Sequence, residues 1–192
     1  AGLLVVINGS PYEQEKDDAR LALCSKRAQE AGCALAYVNM TGGQDELVFD
    51  GDSMIVDSAG ALLARAPQFE DGLMVTDLEL PVRSAVAVDL VINDETRAIE
   101  KPLPSGIATR LDMHGELWSA LVVGLRDYVE KNNFKSVILG LSGGIDSALV
   151  AAIAVDALGA DRVFGVSLPS KYSSDHSRSD AYALAENLGI NI

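Results

Sequence analysis

A chain of 192 residues, 48% hydrophobic and 22% charged, is long enough for one to two folded domains and too apolar to be disordered. Its 15 Lys and Arg against 28 Asp and Glu leave a net charge of −13 with no basic stripe, which excludes general binding to a nucleic-acid backbone. No apolar run approaches the ~18 residues of a membrane span, and two cysteines with two histidines exclude a zinc cage or a disulfide framework and suit a reducing cytoplasm.

Residues 3–7, all Leu, Val or Ile, predict a buried strand that ends at the turn Asn8-Gly9-Ser10-Pro11. Residues 14–31 follow with a helical period through Ala19, Leu23, Arg27 and Glu30, stopped by Gly32. A second strand is expected over 33–38 and a turn at Thr41-Gly42-Gly43. Beyond it, 53–57 and 61–66 pair as a hairpin around Ser58-Ala59-Gly60, and 73–78 form a further strand. This alternation predicts a layered α/β domain over residues 1–92. Charge, prolines and Gly106 mark 93–112 as a linker.

From 113 onward a second α/β domain is expected. Leu117, Ala120, Leu121, Gly124, Leu125 and Tyr128 keep one helix face, ending at Asn132-Asn133. A βαβ unit follows: strand 136–141, helix 145–158 stopped by Gly159, and parallel strand 162–168. A last helix over 177–188, capped by Ser174 or Asp175, leads through Gly189 into the start of another strand. With an apolar first strand lacking any polar lead-in, the chain reads as an interior piece of a longer polypeptide.

The chemistry concentrates in Gly140-Leu141-Ser142-Gly143-Gly144-Ile145-Asp146-Ser147, where a parallel strand turns into a helix. Adjacent glycines let backbone N–H groups face a phosphate with the helix N-terminus behind them, and the two serines add hydroxyl donors. In an acidic chain such a site must work through local donors and a cation, and Asp146 makes sense there chiefly as a Mg²⁺ ligand. The Walker and dinucleotide-binding glycine patterns are not matched. Gly-x-Ser-x-Gly, the nucleophile elbow of serine hydrolases, is matched at 140–144, although its only downstream histidine is His176. A plain glycine turn with Ser142 as a cap is the bland reading.

Ser142-Gly143-Gly144-Ile145-Asp146-Ser147 resembles the pyrophosphate loop of the N-type ATP pyrophosphatases. The run Leu168-Pro169-Ser170-Lys171-Tyr172-Ser173-Ser174-Asp175-His176-Ser177 resembles the glutamine-dependent NAD⁺ synthetase family in particular. Asn8-Gly9-Ser10-Pro11-Tyr12 and residues 49–60 resemble the rear of the nitrilase-type glutaminase domain fused ahead of that synthetase. The implied architecture is the back of a nitrilase-like α/β/β/α sandwich followed by the start of a doubly wound parallel-sheet domain of the adenine nucleotide alpha hydrolase type.

The implied activity is that of a ligase: ATP- and Mg²⁺-dependent amidation of deamido-NAD⁺ to NAD⁺ through an acyl-adenylate, fed by ammonia from glutamine. A cytoplasmic homo-oligomer is expected. By the same resemblance, residues 140–147 bind ATP with Asp146 on the metal, Ser10 and Lys16 contact glutamine, and Lys171, Ser173, Ser174, His176 and Arg178 face nucleotide or substrate. The family's hydrolytic Glu, Lys and Cys fall ahead of residue 8, so no glutaminase catalytic residue maps onto this chain, and Cys24 and Cys33 read as buried thiols. Another amidoligase of the same loop group, a serine hydrolase using Ser142, and a non-catalytic binding module remain as alternatives.

Overall fold

In a computed structural model, residues 2–80, 90, 101, 103, 106–168 and 175–192 are described. They form two compact units, Ala1–Met40 with Asp50–Arg110, and Thr41–Phe49 with Leu111–Ile192.

The first unit is a four-stranded sheet in the order β1 (Leu3–Asn8), β2 (Ala34–Asn39), β5 (Met54–Val56), β6 (Leu62–Arg65). Helix α1 (Lys16–Ala31) makes the parallel crossover that sets Leu3 against Ala34 and Asn8 against Asn39. Gly32, at φ 61, ends α1 by returning its N–H to the last-turn carbonyls. The helix packs Cys24 and Ala28 on Leu35, Tyr37, Met54 and Val56.

Among the described residues β1 comes first in the sheet order, α1 covers one of its faces, and Val5 and Ile7 on the other face are 55% and 85% exposed. The expected hairpin does form: β5 and β6 are antiparallel, and Asp57 Oδ1 accepts from the Ala59 and Ala61 N–H groups, both at 2.8 Å. Residues 73–78 form no strand, and Leu73 is almost wholly exposed. The far side of β6 pairs instead with the expected linker: Arg65 donates its N–H to the Gly106 carbonyl at 3.0 Å and accepts from Ala108 at 3.1 Å.

In the second unit, β3 (Thr41–Gln44) and β4 (Leu47–Asp50) make a hairpin turning at Asp45, φ 52. The turn expected at residues 41–43 is thus strand. Helix α2 (Met113–Lys131) starts where Asp112 accepts the Gly115 N–H at 2.7 Å, a cap that satisfies one otherwise open donor. Parallel strands β7 (Val137–Gly140) and β8 (Val163–Val166) are joined through α3 (Ile145–Leu158), followed by α4 (Asp175–Leu188). Ala151, Ala154 and Leu158 of α3, Ala181 and Ala185 of α4, and Val129 of α2 close the core over Val163. After Gly189, Asn191 bridges Phe164, so the expected further strand begins on the other side of β8.

Candidate functional site

Leu141 is buried and its N–H continues the parallel ladder to the Val166 carbonyl at 2.9 Å, which fixes the point where the chain leaves the sheet. The next residues organise themselves. Ser142 Oγ accepts the Gly144 N–H at 3.2 Å and lies 3.1 Å from Ser147 Oγ. Ser147 Oγ donates to the Gly144 carbonyl at 3.0 Å and accepts from the Ser142 N–H at 3.3 Å. With Ser142 donating to Ser147, both hydroxyls are satisfied inside the turn.

Gly144 caps α3 with an extended backbone, φ −90 and ψ 158, and no side chain. The first-turn N–H groups of Ile145 and Asp146 have no partner among the described residues and point out of a positive helix end. Gly143 has φ 80, and a Cβ there would drive into the Ser177 carbonyl on the first turn of α4. Gly143 therefore serves both the loop's own bend and the close seating of α4. Asp146 is exposed and has no partner among the described residues, an arrangement that suits a cation otherwise held by a ligand's oxygens. Among those residues no group of three potential metal-ligating side chains forms.

The contact of Ser177 with Gly143 brings the exposed His176 and Arg178 beside the 140–147 loop. Lys171, Ser173 and Ser174 lie outside the described residues, as does the side chain of Asp175. Ser142 is engaged by Gly144 and Ser147 and by no histidine among the described residues, so the elbow geometry has no base there.

At the other end of the chain, the 8–12 loop is held by residues from three elements. Asn39 accepts the Ser10 N–H at 2.8 Å through Oδ1 and donates to the Ser10 carbonyl at 3.2 Å through Nδ2. Arg20 donates through Nη2 to the Ser10 and Pro11 carbonyls at 3.3 and 3.2 Å, while Asp50 takes both ends of the same guanidinium, Nη2 to Oδ1 at 2.8 Å. Arg20 and Asp50 are both buried, so their bidentate pairing is sheltered from water. Lys16 donates to the Pro11 carbonyl at 3.3 Å and pairs with Glu13 at 3.4 Å. Tyr12 meets Phe69 edge-on at 5.3 Å.

Sequence reasoning singled out neither this ion pair nor its neighbour Asp52. Asp52 is fully buried, 3.2 Å from Arg65 Nε and 3.7 Å from Arg110 Nη2. Burial pushes its carboxyl up to about 6 despite the arginines, with Asp50 adding to the rise. In the sequence these two acids stand only within residues 49–60, the run that carries the glutaminase resemblance. Cys24 and Cys33 are free and buried as expected, and burial raises the Cys24 thiol. Trp118 Nε1 donates to Asp156 at 2.9 Å, tying α2 to α3. No helix among the described residues is long and apolar enough to cross a membrane.

The carbon-nitrogen hydrolase family matches residues 2–87 and the NAD synthase family matches residues 117–192. The chain is thus a carbon-nitrogen hydrolase segment followed by an NAD synthase segment carrying the glycine-serine loop. The glutamine-dependent NAD(+) synthetase of Aquifex aeolicus is 42% identical over 204 residues, covering 99% of this chain and 36% of that protein. The Synechocystis enzyme of the same name is 45% identical over 189 residues, 98% of this chain and 31% of that one. The glutamine-dependent NAD+ synthetase of Acinetobacter baumannii, solved with adenosine diphosphate, superposes with a TM-score of 0.81 at 37% identity, covering 100% of this chain and 33% of that one. The Cytophaga hutchinsonii structure, at 22% identity and a TM-score of 0.70, repeats the fold. The chain is similar to these glutamine-dependent NAD(+) synthetases along nearly all of its own length and spans about a third of theirs.

Proposed function

We propose that this chain is the junction portion of a cytoplasmic, homo-oligomeric enzyme that converts deamido-NAD⁺ to NAD⁺ with ATP, drawing ammonia from glutamine. Residues 1–92 belong in this reading to the glutaminase module, 93–112 to the linker and 113–192 to the synthetase module. The observation that carries it is the N-terminus of α3 behind Gly143 and Gly144, which has no side-chain cap, with Asp146 beside it and unpartnered among the described residues. Backbone N–H groups fixed in advance stabilise a departing pyrophosphate without reorganising as the bond breaks. The nicotinate carboxylate attacks the α-phosphorus of ATP, pyrophosphate leaves, and ammonia then displaces AMP from the acyl-adenylate to give the amide.

Mg²⁺, when bound, would neutralise phosphate charge, with Asp146 as its protein ligand. Gly140, Leu141, Ser142, Ile145 and Ser147 complete the ATP loop, and Lys171, Ser173, Ser174, His176 and Arg178 extend it toward nucleotide or substrate. Ser10 and Lys16 contact glutamine. The adenosine diphosphate in the Acinetobacter baumannii relative supports the nucleotide assignment. In the full-length protein, pyrophosphate release from ATP and deamido-NAD⁺ is expected with either glutamine or ammonium. Asp146→Ala should lower both rates by about 10²- to 10³-fold. Unchanged release in that variant, or none from the parent, would sink the assignment.

A further inference from the structure

Strands β7 and β8 run in parallel register, Val137 beside Val163 and Leu139 beside Gly165. These four share one face with Leu141, while the more exposed Ile138 and Phe164 turn to the other. Gly165 is buried inside β8, a place where glycine weakens a strand unless something must come close.

Leu141 is what comes close. A Cβ on Gly165 would stand 2.6 Å from Leu141 Cδ1 and 3.3 Å from its Cγ, with Ile192 Cγ1 at 3.4 Å. Leu141 has little room to give way, because it is 3% exposed and belongs to the core formed with Ala151, Ala154, Val163 and Ala181. The Gly165 backbone cannot retreat either. It is paired with Leu139 on one side, and on the other its N–H donates to the Asn191 carbonyl at 2.7 Å. Leu141 is thus seated on the bare backbone of Gly165.

Ser142 follows directly, and it is tied from two sides. Through Leu141, whose N–H reaches the Val166 carbonyl, it is held to the sheet. Through its own N–H, which Ser147 Oγ accepts at 3.3 Å, it is held to α3, and its Oγ accepts the Gly144 N–H at 3.2 Å. Lifting Leu141 off Gly165 would carry Ser142 away from Ser147 and Gly144 and turn the loop's N–H groups out of line. Hydrogen bonds weaken steeply with misalignment, and a displacement of about 1 Å can cost about 10²-fold at a positioned site.

We propose that Gly165 is a positioning residue for the ATP loop: its missing side chain gives Leu141 a seat, and that seat sets where Ser142 leaves the sheet. This rests on the reading of residues 140–147 as the ATP loop.

The test uses the full-length protein, with ATP and Mg²⁺ as the probe in calorimetry. Gly165→Ala is expected to weaken ATP binding about tenfold. Leu141→Val stops short of the Cδ1 position that the new Cβ would meet, so Gly165→Ala combined with Leu141→Val should bind within about threefold of the parent. Val163→Ala truncates the same core at the other end of β8 and should lower the Tm while leaving ATP affinity within about twofold. Leu141→Val alone loosens the seat, and hydrogen exchange of its Ser142 amide should quicken with no nucleotide present. That measurement does not depend on Gly165→Ala folding. Parental affinity in Gly165→Ala would overturn the proposal, as would losses that add in the double variant instead of cancelling. An equal loss of affinity in Val163→Ala would also overturn it, because general destabilisation would produce that. Unchanged Ser142 exchange in Leu141→Val would overturn the seat itself. A parent protein that binds no ATP would refute the underlying reading instead, and Ser142 exchange would still decide whether the seat exists.

Discussion

The 140–147 loop holds itself, with the Ser142 and Ser147 hydroxyls closing on each other and on Gly144 within one turn. The 8–12 loop is held from outside, by Arg20 and Asn39, 10 and 29 residues further along the chain, with Asp50 behind Arg20. The first costs little beyond two hydroxyls at the surface. The second depends on a desolvated ion pair whose loss leaves a charge stranded in the interior. A self-contained turn shows in a short stretch of sequence, whereas a loop pinned by distant side chains does not.

The difference is most readily broken at Asp50. Asp50→Ala strands the buried Arg20 guanidinium and should destabilise the protein by about 3–5 kcal/mol in chemical denaturation. Replacing Arg20 and Asp50 together by Met and Leu should recover much of that loss, and strict additivity of the two single variants would show that they are not coupled.

Next in size is Gly143→Ala, which meets both a positive φ and the Ser177 carbonyl. A loss of about 2–3 kcal/mol is expected, together with lost nucleotide affinity by calorimetry. Parental affinity in that variant would mean that the seating of α4 on the loop is dispensable.

The smallest effect sharpens the contrast through pH. Asp52 has its pKa raised from 3.8 to about 6, so the folded state binds its proton more tightly than the unfolded chain does. This carboxylate therefore costs stability above pH 6, and the cost is relieved as pH falls toward 4. Between pH 7 and 5 Asp52 alone should add about 1 kcal/mol of stability. The Asp52→Asn variant should lack that increment, and matching pH profiles for the two proteins would contradict the shift.

Legibility follows the range of the interactions. Helix α3 and its stop at Gly159 match the sequence reading because the period and the breaker lie in the same stretch. The hairpin over residues 54–65 is legible because Asp57 bonds to its own turn. Gly42-Gly43 misleads because glycine signals both turns and close approach, and only α2 distinguishes them. Residues 73–78 have strand composition but form no strand, and residues 106–108 are the ones that pair with β6. Asp50 and Asp52 look like surface acids until their arginines, far off in the chain, are placed beside them.

The pairing of Gly106 and Ala108 with Arg65 has a consequence for solution behaviour. An outermost strand with open N–H and C=O groups is a template onto which a strand from another molecule can add, the usual first step of intermolecular β-aggregation. By laying residues 106–108 along β6, the chain fills part of that template itself, so shortening or stiffening this stretch should show first as clumping on expression rather than as lost catalysis.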